Sequence, residues 1–182
     1  MLNFEKPVYK ITDYIEGNNY GKFELEPLER GFGTTLGNAL RRVMLSSMPG
    51  SAIVAFKANG VMHEFTTIEG IVEDVTTIVL NLKSIVVKNN TDEVKKLTLS
   101  VNEEKTVTAA DIVTDGDVEI INPDQVICTV SKGGKLEMEL LVANGRGYVP
   151  SNENKSFVEG QKIGYIPIDA LYSPIERISY EV

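Results

Sequence analysis

The chain has 182 residues, which suits one ordinary domain or two small ones and is enough to bury an apolar core. Its formal net charge of −8 argues against broad electrostatic binding to nucleic acid, which uses clustered Lys and Arg side chains on phosphates. Its single cysteine, Cys128, excludes an intramolecular disulfide. No apolar stretch approaches the roughly 20 residues that span a bilayer, and the N-terminus lacks the pattern of a signal peptide. We therefore expect a cytoplasmic protein without membrane contact.

The first 28 residues are typical of a β-hairpin. Apolar and polar residues alternate over 8–15 and again over 22–28, and Gly17-Asn18-Asn19 lies between the two runs. Pro27 is near the end of the second run, where a strand tolerates it. We predict two strands joined by a turn.

A long helix is predicted next, from Thr34 or Thr35 to about Ser47. Apolar side chains recur there at helical spacing and form one stripe, made of Leu36, Ala39, Leu40, Val43 and Met44. Met48-Pro49-Gly50 is expected to end the helix.

A second helix is predicted between a strand at 51–58 and a β-rich remainder. The segment Thr66-Thr67-Ile68-Glu69 has the spacing of a capping box. Apolar residues then recur at helical spacing at Ile68, Ile71, Val72, Val75, Val79 and Leu82. We expect the helix to end near Lys83. The further strand candidates are 84–88, 94–101, 117–121, 126–131, 135–142 and 162–168.

Two turns and the last residues complete the prediction. The segment Ser131-Lys132-Gly133-Gly134-Lys135 is typical of a hairpin, because Gly-Gly supplies the positive φ values of a tight turn. Asp115-Gly116-Asp117 is a second turn. Residues 177–182 are interpreted as a strand without a partner, which suggests a truncated domain or one completed by another chain.

The glycines around the first helix allow two interpretations. Gly31-Phe32-Gly33 followed by Gly37 resembles a dinucleotide-binding loop, but the spacing is wrong, and an enzyme of that kind needs a βαβ unit around 24–60. Alternatively, Gly33 and Gly37 remove side chains from one side of the helix start and let another backbone approach closely. Arg41 and Arg42 on the same helix then suit a protein interface, although a plain amphipathic core helix remains possible.

The sequence gives little evidence of catalytic or metal-binding residues. His63 is the only histidine, so neither a histidine metal cluster nor a catalytic triad is predicted. Asp111, Asp115, Asp117 and Glu119 lack the order of a calcium loop, and a polar hairpin explains them. Cys128 lies among apolar residues and is expected to be a buried small hydrophobe. We therefore predict no catalytic residue, no cofactor and no metal.

Seven segments, in order, resemble the bacterial RNA polymerase α subunits. The longest runs from Leu28 to Pro49, with the sequence LERGFGTTLGNALRRVMLSSMP. The other six are Gly60-Val61-Met62-His63-Glu64-Phe65, Asn81-Leu82-Lys83, Thr108-Ala109-Ala110-Asp111-Ile112, Gly116-Asp117-Val118-Glu119-Ile120, Gly145-Arg146-Gly147-Tyr148-Val149-Pro150 and Tyr172-Ser173-Pro174-Ile175-Glu176-Arg177-Ile178. They are spread along almost the whole chain, from residue 28 to residue 178.

The resemblance implies an α+β fold with two parts. Residues 1–49 and 173–182 would form a dimerisation domain, and 50–172 an inserted β-rich domain. It also implies a homodimeric, non-catalytic assembly scaffold for the β and β′ subunits of DNA-directed RNA polymerase. In the family the dimerisation domain continues with a further strand and a long helix, so we expect this chain to dimerise poorly. The family's small DNA-contacting domain is absent, so we expect no direct DNA contact.

The resemblance also implies contact residues. Arg42 and Leu45 correspond to positions that contact β, and Lys83 and Ile168 to positions that contact β′. The family's first helix packs against its copy in a second subunit, so we expect the stripe of Leu36, Leu40 and Val43 to form the dimer interface. Each of the four subunit contacts also has an ordinary structural interpretation. Arg42 is then a solvated helix arginine, and Leu45 a core residue. Lys83 caps the C-terminal end of a helix, and Ile168 is an alternating strand residue.

Overall fold

The computed structural model describes residues 5–159 and 164–182, which divide into two compact units. One unit comprises the described residues up to Met44 together with Arg177–Val182. The other comprises the described residues of Leu45–Glu176. The assignment of a dimerisation domain and an inserted domain to the chain stays a prediction.

The first unit is built on the predicted hairpin and most of the predicted helix. Strand β1 (Val8–Ile15) pairs antiparallel with β2 (Tyr20–Glu26) across a short 3₁₀ turn at Glu16–Asn18. Asn19 closes that turn in the left-handed conformation, with φ of 50°, which Asn tolerates better than most residues. Helix α1 (Phe32–Ser47) begins two residues before the predicted start. Both predictions are confirmed, because each rests on a pattern local to its own segment.

A β-bulge changes which residues share a face of the hairpin. The register shifts between Ile11 and Asp13, so Tyr14 pairs with Gly21 on the same face as the Ile11–Phe23 pair. The aromatic ring of Phe23 lies beside Gly21. The bulge thereby places Tyr14 on the face that also carries Ile11 and Phe23.

The second unit contains a five-stranded antiparallel sheet in the order β12-β3-β10-β5-β7. Its strands are β3 (Pro49–Ala58), β5 (Lys95–Val101), β7 (Ile112–Val113), β10 (Leu136–Arg146) and β12 (Ile166–Pro167). The two-stranded pairs are β4 (Val87–Asn89) with β8 (Val118–Ile120), β6 (Lys105–Thr108) with β9 (Val126–Val130), and β11 (Tyr148–Val149) with β13 (Ala170–Leu171). The helices are α2 (Val75–Lys83) and α3 (Lys155–Val158).

The core lies mainly on one face of the five-stranded sheet. Phe56 of β3 and Leu140 of β10 point into the main apolar cluster, and α2 contributes Val75, Ile78 and Leu82 to it. Alternate residues of the same strands enter a smaller cluster, which also contains Tyr165 and Tyr172. Strands that bury both faces require apolar residues at consecutive positions, as in Ala52 to Phe56. The predicted α+β class with a β-rich middle is confirmed.

The predicted start of the second helix is wrong. Helix α2 begins at Val75, and Asp74 is its N-cap, accepting a hydrogen bond of 2.7 Å from the Thr77 backbone. Around this start the backbone bonds to other segments instead: Val72 N–H donates to the Thr129 carbonyl at 3.0 Å, and Val75 N–H, the first of the helix, donates to the Thr66 carbonyl at 3.0 Å. These longer-range bonds outcompete the helix that the apolar spacing suggested.

The glycine turn at 131–135 forms, but it does not join a hairpin. Gly133 has a φ of +79°, and the Gly134 N–H donates to the Ser131 carbonyl at 2.8 Å. Strand β9 before the turn pairs with β6, whereas β10 after it pairs with β3 and β5. The turn therefore carries the chain from one sheet to another.

The prediction of a strand at 177–182 is also wrong, since these residues, all described, form no strand. The candidate at 162–168 is reduced to β12, and its residues 162 and 163 lie outside the described residues. The sequence analysis did not predict α3 or four short strands, β6, β7, β11 and β13. Each of these elements has only two to four residues. Such lengths are too short for a periodic pattern.

Candidate partner-binding surfaces

The first candidate surface is a groove along α1 in the first unit. Its walls are Thr34, Thr35, Asn38, Ala39, Arg42, Val43 and Tyr180. Beside the groove, two glycines leave α1 without side chains where residues from 177–182 lie against it. Tyr180 occupies the space beside Gly37, and Val182 the space beside Gly33. We predicted the close approach of another backbone at these glycines, but side chains of the same chain approach them instead.

The predicted interface residues on α1 are distributed around this groove. Arg42 and Val43 line it, and both are exposed. Leu40 and Val43 are 51% and 56% exposed, and Leu36, one turn before Leu40, is half-buried. The structure thus presents the predicted apolar stripe partly to solvent. Leu45, the other predicted β contact, is half-buried and belongs to the second unit.

The second candidate surface surrounds Lys83 at the C-terminal end of α2. Its ammonium Nζ lies 2.5 Å from Asp169 Oδ1, and the two side chains are 29% and 34% exposed. Ile168, the other predicted β′ contact, is next to this pair in sequence, but its own side chain is buried. Its backbone N–H donates to the Val54 carbonyl at 2.9 Å. Ile168 therefore supports the surface from beneath and does not form it.

Asp169 and Tyr148 are members of this surface that the sequence interpretation missed. Burial opposes ionisation of Asp169, but hydrogen bonds from Lys83, the Asp169 backbone and Tyr148 outweigh it and hold the pKa of the carboxyl below its ordinary value. Tyr148 pairs across strands with Leu171, and these two side chains are 62% and 66% exposed. In the sequence, Asp169 directly follows Ile168, a predicted β′ contact. This adjacency is the only feature of the sequence that could have indicated Asp169.

The polar hairpin predicted for the four acidic residues is wrong, because β7 pairs with β5 and β8 with β4, and ion pairs hold most of these carboxylates instead. Asp117 Oδ2 lies 2.6 Å from Lys95 Nζ, and Asp111 Oδ1 lies 2.6 Å from Lys105 Nζ. Asp111 also accepts the Thr108 backbone N–H at 3.0 Å, which completes a capping box. Within residues 5–159 and 164–182, no group of three or more His, Cys, Asp or Glu side chains could hold a metal ion.

Two further features bear on function. Every strand pair of the described residues is antiparallel, and β2 and β3, on either side of α1, belong to different sheets. A dinucleotide-binding βαβ unit around 24–60 is therefore contradicted. No helix of the described chain is long and apolar enough to cross a bilayer.

The comparison with known families decides the class of the protein. The family described as the RNA polymerase Rpb3/RpoA insert domain matches residues 54–173, which is more than half of the chain. The chain belongs to this family. The match lies inside the second unit, and it confirms the resemblance to an α-type N-terminal domain. This Rpb3/RpoA-type chain is thus a subunit of DNA-directed RNA polymerase, a nucleotidyltransferase complex that carries out transcription.

Proposed function

We propose that the chain is the α subunit of a bacterial RNA polymerase, and that it acts in the cytoplasm as a dimerising scaffold for the β and β′ subunits. In this role it carries no active site. The assembled complex synthesises RNA from ribonucleoside triphosphates on a DNA template.

The observation that carries the proposal is the exposed apolar face of α1. Leu40 and Val43 are each more than half exposed, next to a groove that Arg42 lines. A helix with a solvent-facing apolar stripe is costly in a monomer and is typical of an interface. In an RNA polymerase subunit, the partners available to such a face are a second copy and the large subunits.

The proposed contacts follow the sequence prediction, with one change. Leu36, Leu40 and Val43 meet the second copy, whereas Arg42 and Leu45 meet β. The β′ contact is made by Lys83 with its partner Asp169, and the buried Ile168, the residue before Asp169, supports this surface from within the fold. A partner carboxylate or carbonyl can reach the Lys83 ammonium because that side chain is still partly exposed.

Reconstitution with purified β and β′ subunits tests the proposal. Arg42→Ala should weaken binding to β by roughly 2–5 kcal/mol, because it removes one side of a charged contact that is desolvated in the complex. Arg41→Ala is the matched control, since Arg41 is exposed on the same helix but is not among the groove residues. Neither change should alter the thermal midpoint of the isolated chain. Equal binding by the two variants, or unfolding caused by Arg42→Ala, would contradict the assignment.

A further inference from the structure

The sequence contains two Asn-Gly dipeptides, Asn59-Gly60 and Asn144-Gly145, and the fold places them in different environments. An asparagine is most prone to spontaneous deamidation when glycine follows it, because glycine has no Cβ to hinder the approach of its own backbone nitrogen. The two dipeptides have the same local chemistry, so a difference between their reaction rates must come from the tertiary structure.

Deamidation needs only water. The backbone nitrogen of the glycine gives up its proton to a base in the solvent and attacks Cγ of the asparagine side chain. The Cγ–Nδ2 bond breaks, the leaving nitrogen takes a proton from solvent and departs as ammonia, and a cyclic succinimide remains. Water then opens the ring at one of its two carbonyl carbons and gives aspartate or isoaspartate. The side chain and the glycine nitrogen must therefore both be free to move.

The fold holds the Asn144-Gly145 dipeptide in place. Both residues lie in β10 and pair with β3. The Asn144 side chain accepts from Ser51 Oγ at 2.7 Å, and its Nδ2 donates to two backbone carbonyls at the end of β4 and just after it, at 3.2 and 2.8 Å. The Tyr172 ring packs so closely on Gly145 that a Cβ there would lie 2.6 Å from Tyr172 Cε2. Attack on Asn144 therefore requires these three hydrogen bonds to break and the strand pair to open.

The Asn59-Gly60 dipeptide lies in an exposed turn directly after β3. Across this turn the Val61 N–H donates to the Ala58 carbonyl at 3.2 Å, and Gly60 has a φ of +78°. A Cβ at Gly60 would meet no atom of the described chain within 4 Å. The Asn59 Nδ2 donates to the carboxylate of Glu137, whose side chain is 41% exposed. A hydrogen bond to an exposed partner is readily exchanged for one to water, so the Asn59 side chain can turn toward the Gly60 nitrogen.

We propose that Asn59 is a site of spontaneous deamidation in the folded chain, and that the fold protects Asn144 from the same reaction. This modification is independent of the polymerase partners, because its only co-reactant is water. It converts a neutral hydrogen-bond donor at the end of β3 into a carboxylate.

The product alters the turn in two ways. Either acid removes the Nδ2 donor and places a second carboxylate beside Glu137, where Lys135, with its Nζ 2.5 Å from Glu137 Oε1, is a nearby cation. Like charges at such a distance repel. Isoaspartate also adds a carbon atom to the main chain at position 59, which disrupts the bond from the Val61 N–H to the Ala58 carbonyl. Deamidation therefore loosens the end of β3.

The test compares the folded chain with the chain in denaturant, both incubated at mildly alkaline pH. Peptide mapping by mass spectrometry measures the loss of each asparagine. In the folded chain Asn59 should deamidate at least about tenfold faster than Asn144, because Asn144 must first break two more hydrogen bonds and part a strand pair. In denaturant the two rates should agree within about twofold, because both asparagines precede glycine. Similar rates in the folded chain, or an intact Asn59 when the unfolded chain is fully converted, would overturn the proposal.

Three variants test the cause of the difference. Gly60→Ala should slow the loss of Asn59 at least about tenfold, because a methyl group hinders the attacking nitrogen. Gly133→Ala is the matched control, since both glycines have open surroundings and almost the same φ, +78° and +79°, and it should leave the Asn59 rate unchanged. Ser51→Ala should speed the loss of Asn144 severalfold and not affect Asn59. Equal Asn59 rates in the two glycine variants would disprove attack by the Gly60 nitrogen. An unchanged Asn144 rate in Ser51→Ala would disprove its protection by the hydrogen bonds.

Discussion

The aromatic ring of Tyr180 lies over Gly37 of α1, so close that a Cβ atom at position 37 would come within 2.4 Å of Tyr180 Cδ2. This relationship joins residues 177–182 to the helix that lines the groove. It also makes Gly37 a requirement of packing, although glycine weakens a helix interior by roughly 1 kcal/mol relative to alanine.

We predict that Gly37→Ala destabilises the chain by about 1–3 kcal/mol, because the added methyl group displaces the Tyr180 ring. In a Tyr180→Ala background the same change should be stabilising by up to about 1 kcal/mol, since only the gain in helix propensity remains. Urea unfolding of the four proteins measures this coupling. Faster trypsin cleavage after Arg177 in Gly37→Ala would report release of the segment. An identical effect of Gly37→Ala in both backgrounds would show that the ring and the glycine are not coupled.

Two glycines allow the energetic cost of a left-handed backbone conformation to be distinguished from the cost of steric crowding. Gly70 and Gly133 both have a φ of +79°, but a Cβ at Gly70 would lie 2.5 Å from Gly134 Cα, whereas a Cβ at Gly133 would meet nothing within 4 Å. Gly133→Ala should cost about 1–2 kcal/mol for the left-handed conformation alone. Gly70→Ala should cost about 1–3 kcal/mol more, because a backbone atom must move. Equal costs in chemical unfolding would mean that the contact between Gly70 and Gly134 is easily relieved.

Cys128 is a single-site reporter of the main core. Its side chain is fully buried, and burial, with a smaller contribution from the Glu73 carboxylate, raises the pKa of the thiol to about 12. We expect no reaction with a thiol reagent at pH 8 in the folded chain and complete reaction in denaturant, because the thiolate is the reactive form. Cys128→Ser should destabilise by about 1–3 kcal/mol through an unsatisfied buried hydroxyl. Stoichiometric labelling under native conditions would contradict this burial.

The Lys83–Asp169 pair should give a defined pH dependence. The pKa of Asp169 in the folded chain lies below the ordinary value of 3.8, so ionised Asp169 stabilises the fold. This stabilisation is complete at pH values above the pKa of Asp169 in the unfolded chain. It is lost as the pH falls through the pKa of Asp169 in the folded chain. Asp169→Asn should therefore destabilise at pH 7 by no more than about 1 kcal/mol, because the pair is partly exposed. The difference from wild type should shrink below pH about 4.

The control for this prediction is Asp124→Asn, a change at an exposed aspartate. It should leave the free energy of unfolding nearly unchanged across the same pH range. A difference between wild type and Asp169→Asn that grows as the pH falls would reverse the predicted sign and disprove the stabilising role of the pair.

The sequence by itself determined the elements whose signal is local. The hairpin at the start and helix α1 are found where alternation and helical spacing predicted them, because each pattern shows which side of one segment is apolar. The glycines at 33 and 37 indicated a close approach to α1, although the groups that approach are side chains and not the backbone that was predicted. The ordered family segments also predicted the polymerase subunit family, which the match over 54–173 confirms.

Only the tertiary structure decided which segments meet. The apolar spacing from Ile68 onward fits a helix, yet α2 starts at Val75, because the preceding backbone bonds to β9 instead. The Gly133-Gly134 turn is typical of a hairpin, yet its flanking strands belong to different sheets. Likewise, Tyr180 lies over Gly37 and Asp169 beside Lys83. Hydrogen bonds, burial and ion pairs between residues far apart in sequence set these outcomes, and no local pattern records them.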